Sequence, residues 1–177
     1  MQNLLVGFIA LLLLSVTSIN AVAGEEVYQA PETFIMESFG GVSPPIKKLD
    51  ASENAQEKIT KIMGKHYKLP HVQYWIKDGR TAWVLEEIGK FEPITAGFVV
   101  GSDGKLERIK VLIYRESHGW EVKHDFFTRQ FKKAGLKREK RLDKRIDGIS
   151  GATLSVNALK RLSALALALH KEVSSVP

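Results

Sequence analysis

The chain has 177 residues, 44% of them hydrophobic, and a formal net charge of +6. This length and composition predict one globular domain with a buried core rather than a disordered chain. The excess positive charge favours anionic ligands or partners without choosing among them. The chain has no cysteine, which excludes disulfides, zinc–thiolate sites, iron–sulfur clusters and thioether-linked haem. No histidine spacing typical of a metal site is present, so a metal is not expected.

The first 23 residues have the pattern of a signal peptide. An apolar run over residues 4–16 is followed by polar residues and then by Ala-Val-Ala at 21–23, an A-x-A cleavage site. The run is shorter than the ~20 residues that span a bilayer. We therefore predict a signal peptide over residues 1–23 and a periplasmic protein. An uncleaved membrane anchor is the alternative, because no Lys or Arg precedes the apolar run.

Residues 24–50 are predicted to form an N-terminal arm with a short helix. Pro31 suits the first turn of a helix over ETFIMESF, and Gly40-Gly41 would end it. Residues 51–177 are predicted to form the remaining domain. Its first helix would be capped by Asp50 or Ser52 and would end near residue 63.

Two β-hairpins are predicted next. In the first, HVQYWIK and RTAWVLEEIG flank Asp78-Gly79, a strong signal for a type I′ turn that would place Tyr74 opposite Trp83. In the second, ITAGFVV and KLERIKVLIYRE flank a turn at 103–104. Alternation along its last strand predicts one buried face and one polar face. The buried face would carry Ile109, Val111 and Ile113, opposite Arg108 and Lys110.

Helices are predicted over residues 122–133 and 154–173, from apolar residues at helical spacing. Four antiparallel strands with one buried face need helices to cover them. The expected fold is therefore α+β, with a curled antiparallel sheet of about four strands packed with helices. The C-terminal helix follows a turn of small residues.

That turn, residues 147–153 (DGISGAT), carries the strongest chemical signal in the chain. Gly151 and Ala152 leave room for a bulky group, and the N–H groups of the first helical turn can hold a phosphate. Thr153 offers a hydroxyl that could be esterified. The alternative is that Ser150 or Thr153 is an ordinary N-cap after a glycine turn.

The pattern D-x-x-S-G-A-T resembles the flavinylation motif of the FMN-binding domain family. That family includes domains in the C subunit of sodium-pumping NADH:quinone reductase and the G subunit of the Rnf complex. The resemblance implies FMN bound as a phosphoester to Thr153, attached by a Mg-dependent flavin transferase that uses FAD. The remaining candidate cofactor-binding residues of the turn are Asp147, Gly148, Ser150, Gly151 and Ala152.

Residues 116–121 (ESHGWE) resemble a second family feature, a Glu-Thr-Pro-Gly segment after the last strand. Ser117 replaces Thr, and His118 stands where Pro is usual. The resemblance makes Glu116, Ser117, Gly119 and Trp120 candidate contacts to the flavin ring or ribityl chain. Glu116 as a plain strand-end charge and Trp120 as an ordinary aromatic are the alternatives.

The resemblance runs from about residue 74 to residue 170 and is to small stand-alone periplasmic members of the family. It implies an exported electron carrier rather than a stand-alone enzyme. Its partners would be the flavin transferase and redox proteins, membrane-bound or a cytochrome. A flavin-dependent reductase of a small-molecule acceptor and a flavin-free basic binding module are the alternatives.

Residues 123–145 hold ten Lys or Arg against three acids. They form either a solvated face or a docking surface for an acidic redox partner or anionic membrane. Nucleic-acid binding is not expected, since no aromatics interleave the basic run.

Overall fold

The structure, a computed structural model, describes residues 25–138 and 140–175. The predicted signal peptide at residues 1–23 lies outside the described residues. Among the helices of the described part, none has the length and apolar character needed to cross a membrane.

Four helices and eight strands follow one another along the described chain. In order they are β1 (Glu26–Val27), α1 (Pro31–Ser38), β2 (Lys47–Asp50), α2 (Glu53–Met63), β3 (His71–Lys77), β4 (Arg80–Ile88), β5 (Pro93–Val100), β6 (Leu106–Tyr114), α3 (Asp125–Thr128), β7 (Leu136–Lys137), β8 (Arg141–Leu142) and α4 (Thr153–Ser174). Two 3₁₀ turns, Trp120–Lys123 and Arg129–Phe131, flank α3.

Six strands form one open antiparallel sheet in the order β1-β6-β5-β4-β3-β2, and β7 pairs with β8 separately. The predicted α+β class and its two hairpins are confirmed. The sheet has six strands rather than about four, because residues 25–50 supply β1 and β2 to its two edges. These strands are two and four residues long, too short to show an alternating pattern in the sequence.

The first hairpin closes as its sequence predicts. Asp78 and Gly79 have φ values of 52° and 73°, the left-handed pair that a type I′ turn requires. Tyr74 lies opposite Trp83, and their rings stack with centroids 5.1 Å apart. The two-residue turn therefore fixes the register of β3 on β4.

Both faces of the sheet are covered. Helix α4 packs on β4 and β5 and against α2, and this side holds the larger core. Helix α1 covers part of the opposite face through Phe34 and Ile35. Gly97 makes that contact possible, because a Cβ at this position would overlap the Phe34 ring. Any side chain at position 97 would push α1 away from the sheet.

A β-bulge changes the predicted face of one residue. Thr95 pairs with Ile113 but Ala96 pairs with Val111, so Leu112 is an extra residue on β6. Ile109 and Val111 join the larger core as predicted, whereas Ile113 packs on the α1 side. The prediction that Ile113 shares their face is wrong, since an inserted residue reverses the alternation.

The helix predicted over residues 122–133 is also wrong as a continuous element. His124 has an extended backbone, with ψ at 149°, and separates the first 3₁₀ turn from α3. Phe127 and Phe131 are buried in edge-to-face contact, whereas Phe126 is exposed. Anchoring these two rings in the core takes precedence over regular helical geometry.

For α2, Ser52 rather than Asp50 is the N-cap, accepting a hydrogen bond from the Ala55 N–H.

A buried histidine links the C-terminal part of α4 to β4. His170 is 5% exposed, and its Nδ1 lies 2.8 Å from the Thr81 hydroxyl. Trp83 Nε1 donates to that hydroxyl at 2.9 Å, so the Thr81 hydroxyl hydrogen is free to bind the unprotonated Nδ1 of neutral imidazole. Burial lowers the pKa of His170 against a smaller opposing effect of Asp103.

This lowered pKa predicts acid sensitivity. Below pH ~6.5 the unfolded chain takes up a proton at His170 that the folded chain resists, so this stability is present above that pH and lost as pH falls through it. We expect the urea midpoint of the wild type to fall more between pH 7 and pH 5 than that of His170→Gln. Parallel pH curves for the two proteins would contradict this.

Candidate functional site

Thr153 is the first residue of the 22-residue helix α4, and its side chain is exposed. The chain reaches it through Gly151, whose φ is +82°, and Ala152, which occupies the N-cap position. No side chain caps the helix. Ser150 and Thr153 are therefore not N-caps, and the Thr153 hydroxyl stays available at the surface.

The first turn of α4 presents free hydrogen-bond donors beside that hydroxyl. The Ala152 N–H donates to the Ile149 carbonyl and the Val156 N–H to the Ala152 carbonyl. Between them, the N–H groups of residues 153, 154 and 155 have no acceptor among the described residues. A long helix concentrates positive potential at these groups. The site is therefore suited to an anion attached at or next to Thr153.

A cleft of about 400 Å³ opens at this helix end. Three segments converge on it: the turn between β4 and β5, the loop after β6, and the start of α4. The lining residues are Lys90, Phe91, Glu116, Ser117, His118, Gly151, Ala152, Thr153, Leu154 and Ser155.

Glu116 fixes the position of the turn at residues 90–92, which forms one wall of the cleft. Its Oε1 accepts hydrogen bonds from the N–H groups of residues 90, 91 and 92, at 2.7 Å from Phe91 and 3.1 Å from Glu92. Burial opposes ionisation of this carboxyl, but the three N–H groups and the Lys90 charge outweigh it and lower the pKa of Glu116. Gly89 permits the approach, because a Cβ there would lie 2.8 Å from Glu116 Oε1.

Tyr114 joins the loop after β6 to the start of α4. Its buried hydroxyl donates to the His118 carbonyl at 2.5 Å and lies 3.0 Å from Ser155 Oγ. Burial is the main cause of the raised pKa of Tyr114, so this hydroxyl stays protonated. Gly119 sits in the same junction with φ at +83°. A Cβ on it would lie 2.9 Å from Tyr114 Oη and 3.2 Å from Ala152 Cβ.

The rim of the cleft is apolar and exposed. Phe91 is 72% exposed and Leu154 is 48% exposed. The Lys90 ammonium lies 4.8 Å from the centre of the Phe91 ring. Large apolar side chains at a cleft mouth typically mark a ligand or partner contact.

The structure brings part of the predicted site together. Glu116 and Ser117 line the same cleft as Gly151, Ala152 and Thr153. Gly119 lies behind the lining, against Ala152. Besides Gly119, four predicted residues do not line the cleft: Asp147, Gly148, Ser150 and Trp120.

Two of those four residues have other contacts. Trp120 is 47% exposed and meets the His124 ring edge-on at 5.4 Å. Asp147 pairs with Arg145 at 3.3 Å, and its N–H donates to Gln130 Oε1. Asp147 therefore fastens the start of the turn rather than facing the cleft.

Sequence reasoning missed several residues of the cleft. These are Lys90, Phe91, His118, Leu154 and Ser155, with Tyr114 hydrogen-bonded behind them. The one available signal was Phe91, an apolar residue in an otherwise polar turn between two strands. Leu154 and Ser155 adjoin the motif and His118 lies within residues 116–121, whereas Lys90 and Tyr114 are brought in by tertiary packing.

The turn before Thr153 supports a comparison of two substitutions. Nothing lies within 4 Å of a Cβ at Gly151, so its positive φ, rather than lack of space, is what demands glycine. A β-branched residue is strongly strained there. We expect Gly151→Val to reduce flavin loading far more than Ser150→Ala, measured by absorbance per protein. Equal loading of the two variants would refute this reading of the turn.

Within the described ranges, no group of three or more His, Cys, Asp or Glu side chains could hold a metal ion.

Residues 89–168 match the family model of the FMN-binding domain. No curated protein and no solved structure matches the chain. The matched range includes every residue that lines the cleft. Residues 89–168 are therefore similar to the FMN-binding domain family, and this match supports a flavin-binding protein.

Proposed function

We propose that this protein is an exported flavoprotein that carries FMN in phosphoester linkage to Thr153 and transfers electrons outside the cytoplasm. The observation that carries the proposal is the position of the Thr153 hydroxyl. It is exposed, it borders the cleft, and it lies beside three N–H groups without an acceptor among the described residues.

The residues at this helix end fit both parts of FMN. A phosphate on Thr153 would meet the N–H groups and the positive end of the α4 dipole. No atom lies within 4 Å of a Cβ at Gly151, so the turn before Thr153 is open at that position. The ring would find a cleft with an apolar rim formed by Phe91 and Leu154. When bound, FMN supplies a ring that takes up one or two electrons, and the protein supplies attachment and orientation.

Three residues of the site then have defined roles. Thr153 Oγ1 forms the new bond to phosphorus when FAD is the donor; AMP leaves and the hydroxyl proton is released. Thr153 afterwards serves as a tether. Glu116 and Tyr114 keep the two walls of the cleft at a fixed separation through bonds to the 90–92 turn and to Ser155. A covalent tether suits an exported protein, because a dissociated cofactor would be lost.

Glu116 is poorly suited to serve a flavin-dependent reductase as a general acid, whereas His118 also lines the cleft and could take that role. Glu116 is the one carboxylate among the residues lining the cleft, and three backbone N–H groups occupy its Oε1. Such a group is poorly placed to act as a general acid on a bound substrate.

The test is the intact mass of the protein recovered from the periplasm, expressed with and without a flavin transferase. We expect a mass gain of one FMN less one water in the presence of the transferase only. The N-terminus of the same sample reports whether residues 1–23 have been removed. Exported protein without any gain would refute the covalent flavin and favour a flavin-free binding module.

A further inference from the structure

A second cleft of the molecule lies outside the flavin site and is strongly basic. This basic groove, of about 280 Å³, runs between residues 140–146 and helix α4. Leu142 and Ile146 form its apolar floor, and no acidic side chain lines it among residues 25–138 and 140–175. Its cations are Lys140, Arg141, Lys144, Arg145, Lys160 and Arg161.

Only part of this charge is neutralised within the protein. Arg161 binds Glu87 with Nε 2.7 Å from the carboxylate, and Arg145 pairs with Asp147. In contrast, Lys140, Arg141 and Lys160 make no ion pair with any other residue that the structure describes. Cations without an ion-pair partner among the described residues therefore stand on both walls of the groove, where an incoming anion would meet them together.

The groove is aligned with the flavin site. Lys160 follows Thr153 by seven residues, which is two turns of helix and about 10 Å along the axis of α4. Residues seven apart lie on the same face of a helix, and Asn157 continues the partly exposed stripe between them. At the other end, Arg145 pairs with Asp147, the first residue of the turn that leads to Thr153. A body docked in the groove would lie beside the flavin cleft.

We propose that the basic groove is the docking site for an acidic protein surface, that of the partner which exchanges electrons with the flavin. The redox identity of the partner rests on the proposed function. Opposite charge on two faces accelerates encounter and fixes orientation. A stripe of carboxylates on the partner would fit the cations of the groove, and docking there would bring the partner's redox centre to the apolar rim of the cleft.

An anionic membrane is the less suitable occupant. Stable binding to a membrane surface combines basic residues with exposed apolar side chains that insert between the lipids. Leu142 is half-buried and Ile146 is buried, and none of the exposed large apolar residues of the described chain lines the groove. The surface that carries the charge is also concave, and a concave surface receives a protruding side chain better than a flat bilayer.

The first test uses the flavin-loaded full-length protein and a fluorescent oligoglutamate peptide, with binding followed by anisotropy at low ionic strength. The groove variant is Lys140→Glu/Lys160→Glu, one residue from each wall. The matched control, Lys65→Glu/Lys77→Glu, changes the net charge equally at exposed positions elsewhere. We expect the groove variant to bind about tenfold more weakly and the control to lose about twofold or less.

Two results would overturn the docking site. Equal weakening in both variants would show that only net charge matters. Tight, groove-dependent binding to vesicles of phosphatidylglycerol and phosphatidylcholine, without binding of the peptide, would assign the surface to a membrane. If the double variant does not fold, the single loop variant Arg141→Glu replaces it, with a loss of about threefold expected.

A second measurement links the groove to the flavin. Reduced holoprotein is mixed with ferricyanide, an anion, or with hexaammineruthenium(III), a cation, each of which takes one electron from the ring. The groove variant should react several-fold more slowly with the anion and faster with the cation. Unchanged rates with both would overturn the link. Absence of flavin from the wild type would refute the proposed function instead, and the peptide experiment would still report on the groove.

Discussion

Replacing Thr153 by alanine is expected to abolish covalent flavin while leaving the fold nearly unchanged. The side chain is exposed, and its hydroxyl makes no hydrogen bond with any other described residue. Alanine also has the higher helix propensity. Surface changes of this kind alter the free energy of unfolding by about 0.5 kcal/mol or less. The intact mass, the visible spectrum and a urea titration measure loading and stability on the same sample.

Thr153→Ser is the matched control for this loss. Serine presents the same nucleophilic oxygen at the same helix position, so we expect it to retain at least part of the covalent flavin. An alanine variant that still carries flavin after acid denaturation would show that another residue is the attachment point. A serine variant with no flavin would show that the transferase requires the threonine methyl group, and would leave the attachment site itself unchanged.

Replacing Gly119, which lies behind the cleft lining, by alanine is expected to destabilise the fold and disturb the attachment site. The left-handed backbone costs a non-glycine residue about 1–2 kcal/mol. The new methyl group would also press on Tyr114 Oη and Ala152 Cβ, and overpacking costs about 1–3 kcal/mol. Because Ala152 precedes Thr153, the same displacement should misplace the attachment residue. We expect a loss of about 2–5 kcal/mol in the free energy of unfolding, and reduced flavin loading.

Gly104→Ala separates these two causes. Gly104 has φ at +70° but nothing within 4 Å of a Cβ, so alanine there meets the backbone strain alone. Its expected cost is about 1–2 kcal/mol, with flavin loading unchanged. Urea titrations of the two variants give the difference directly. Equal destabilisation at both sites would mean that the junction at Gly119 yields to the methyl group without cost.

The elements that sequence reasoning placed correctly are those fixed by local rules. Asp78-Gly79 encodes a type I′ turn whatever surrounds it, and this turn sets Tyr74 opposite Trp83. The apolar spacing and helix-forming residues of the last segment specify α4 to within a residue at each end. The motif at residues 147–153 was visible for the same reason, since its chemistry lies in contiguous residues.

The errors have a common origin in long-range packing. Leu112 becomes a bulge only because β5 and β6 must pair with an offset, and Ile113 then turns towards α1. Residues 122–133 are broken at His124 because Phe127 and Phe131 are both drawn into the core. No local pattern carries this information, since each outcome depends on partners many residues away.

By itself, the sequence determined the class of fold, the turn before the last helix and the residue whose hydroxyl we propose as the attachment point of the flavin phosphate. Only the tertiary structure decided what surrounds that hydroxyl. The bonds of Glu116 to the 90–92 turn, of Tyr114 to His118 and Ser155, and the alignment of Lys160 with Thr153 all join distant parts of the chain. A short motif can specify an attachment point, but a cleft exists only when separate segments are packed around it.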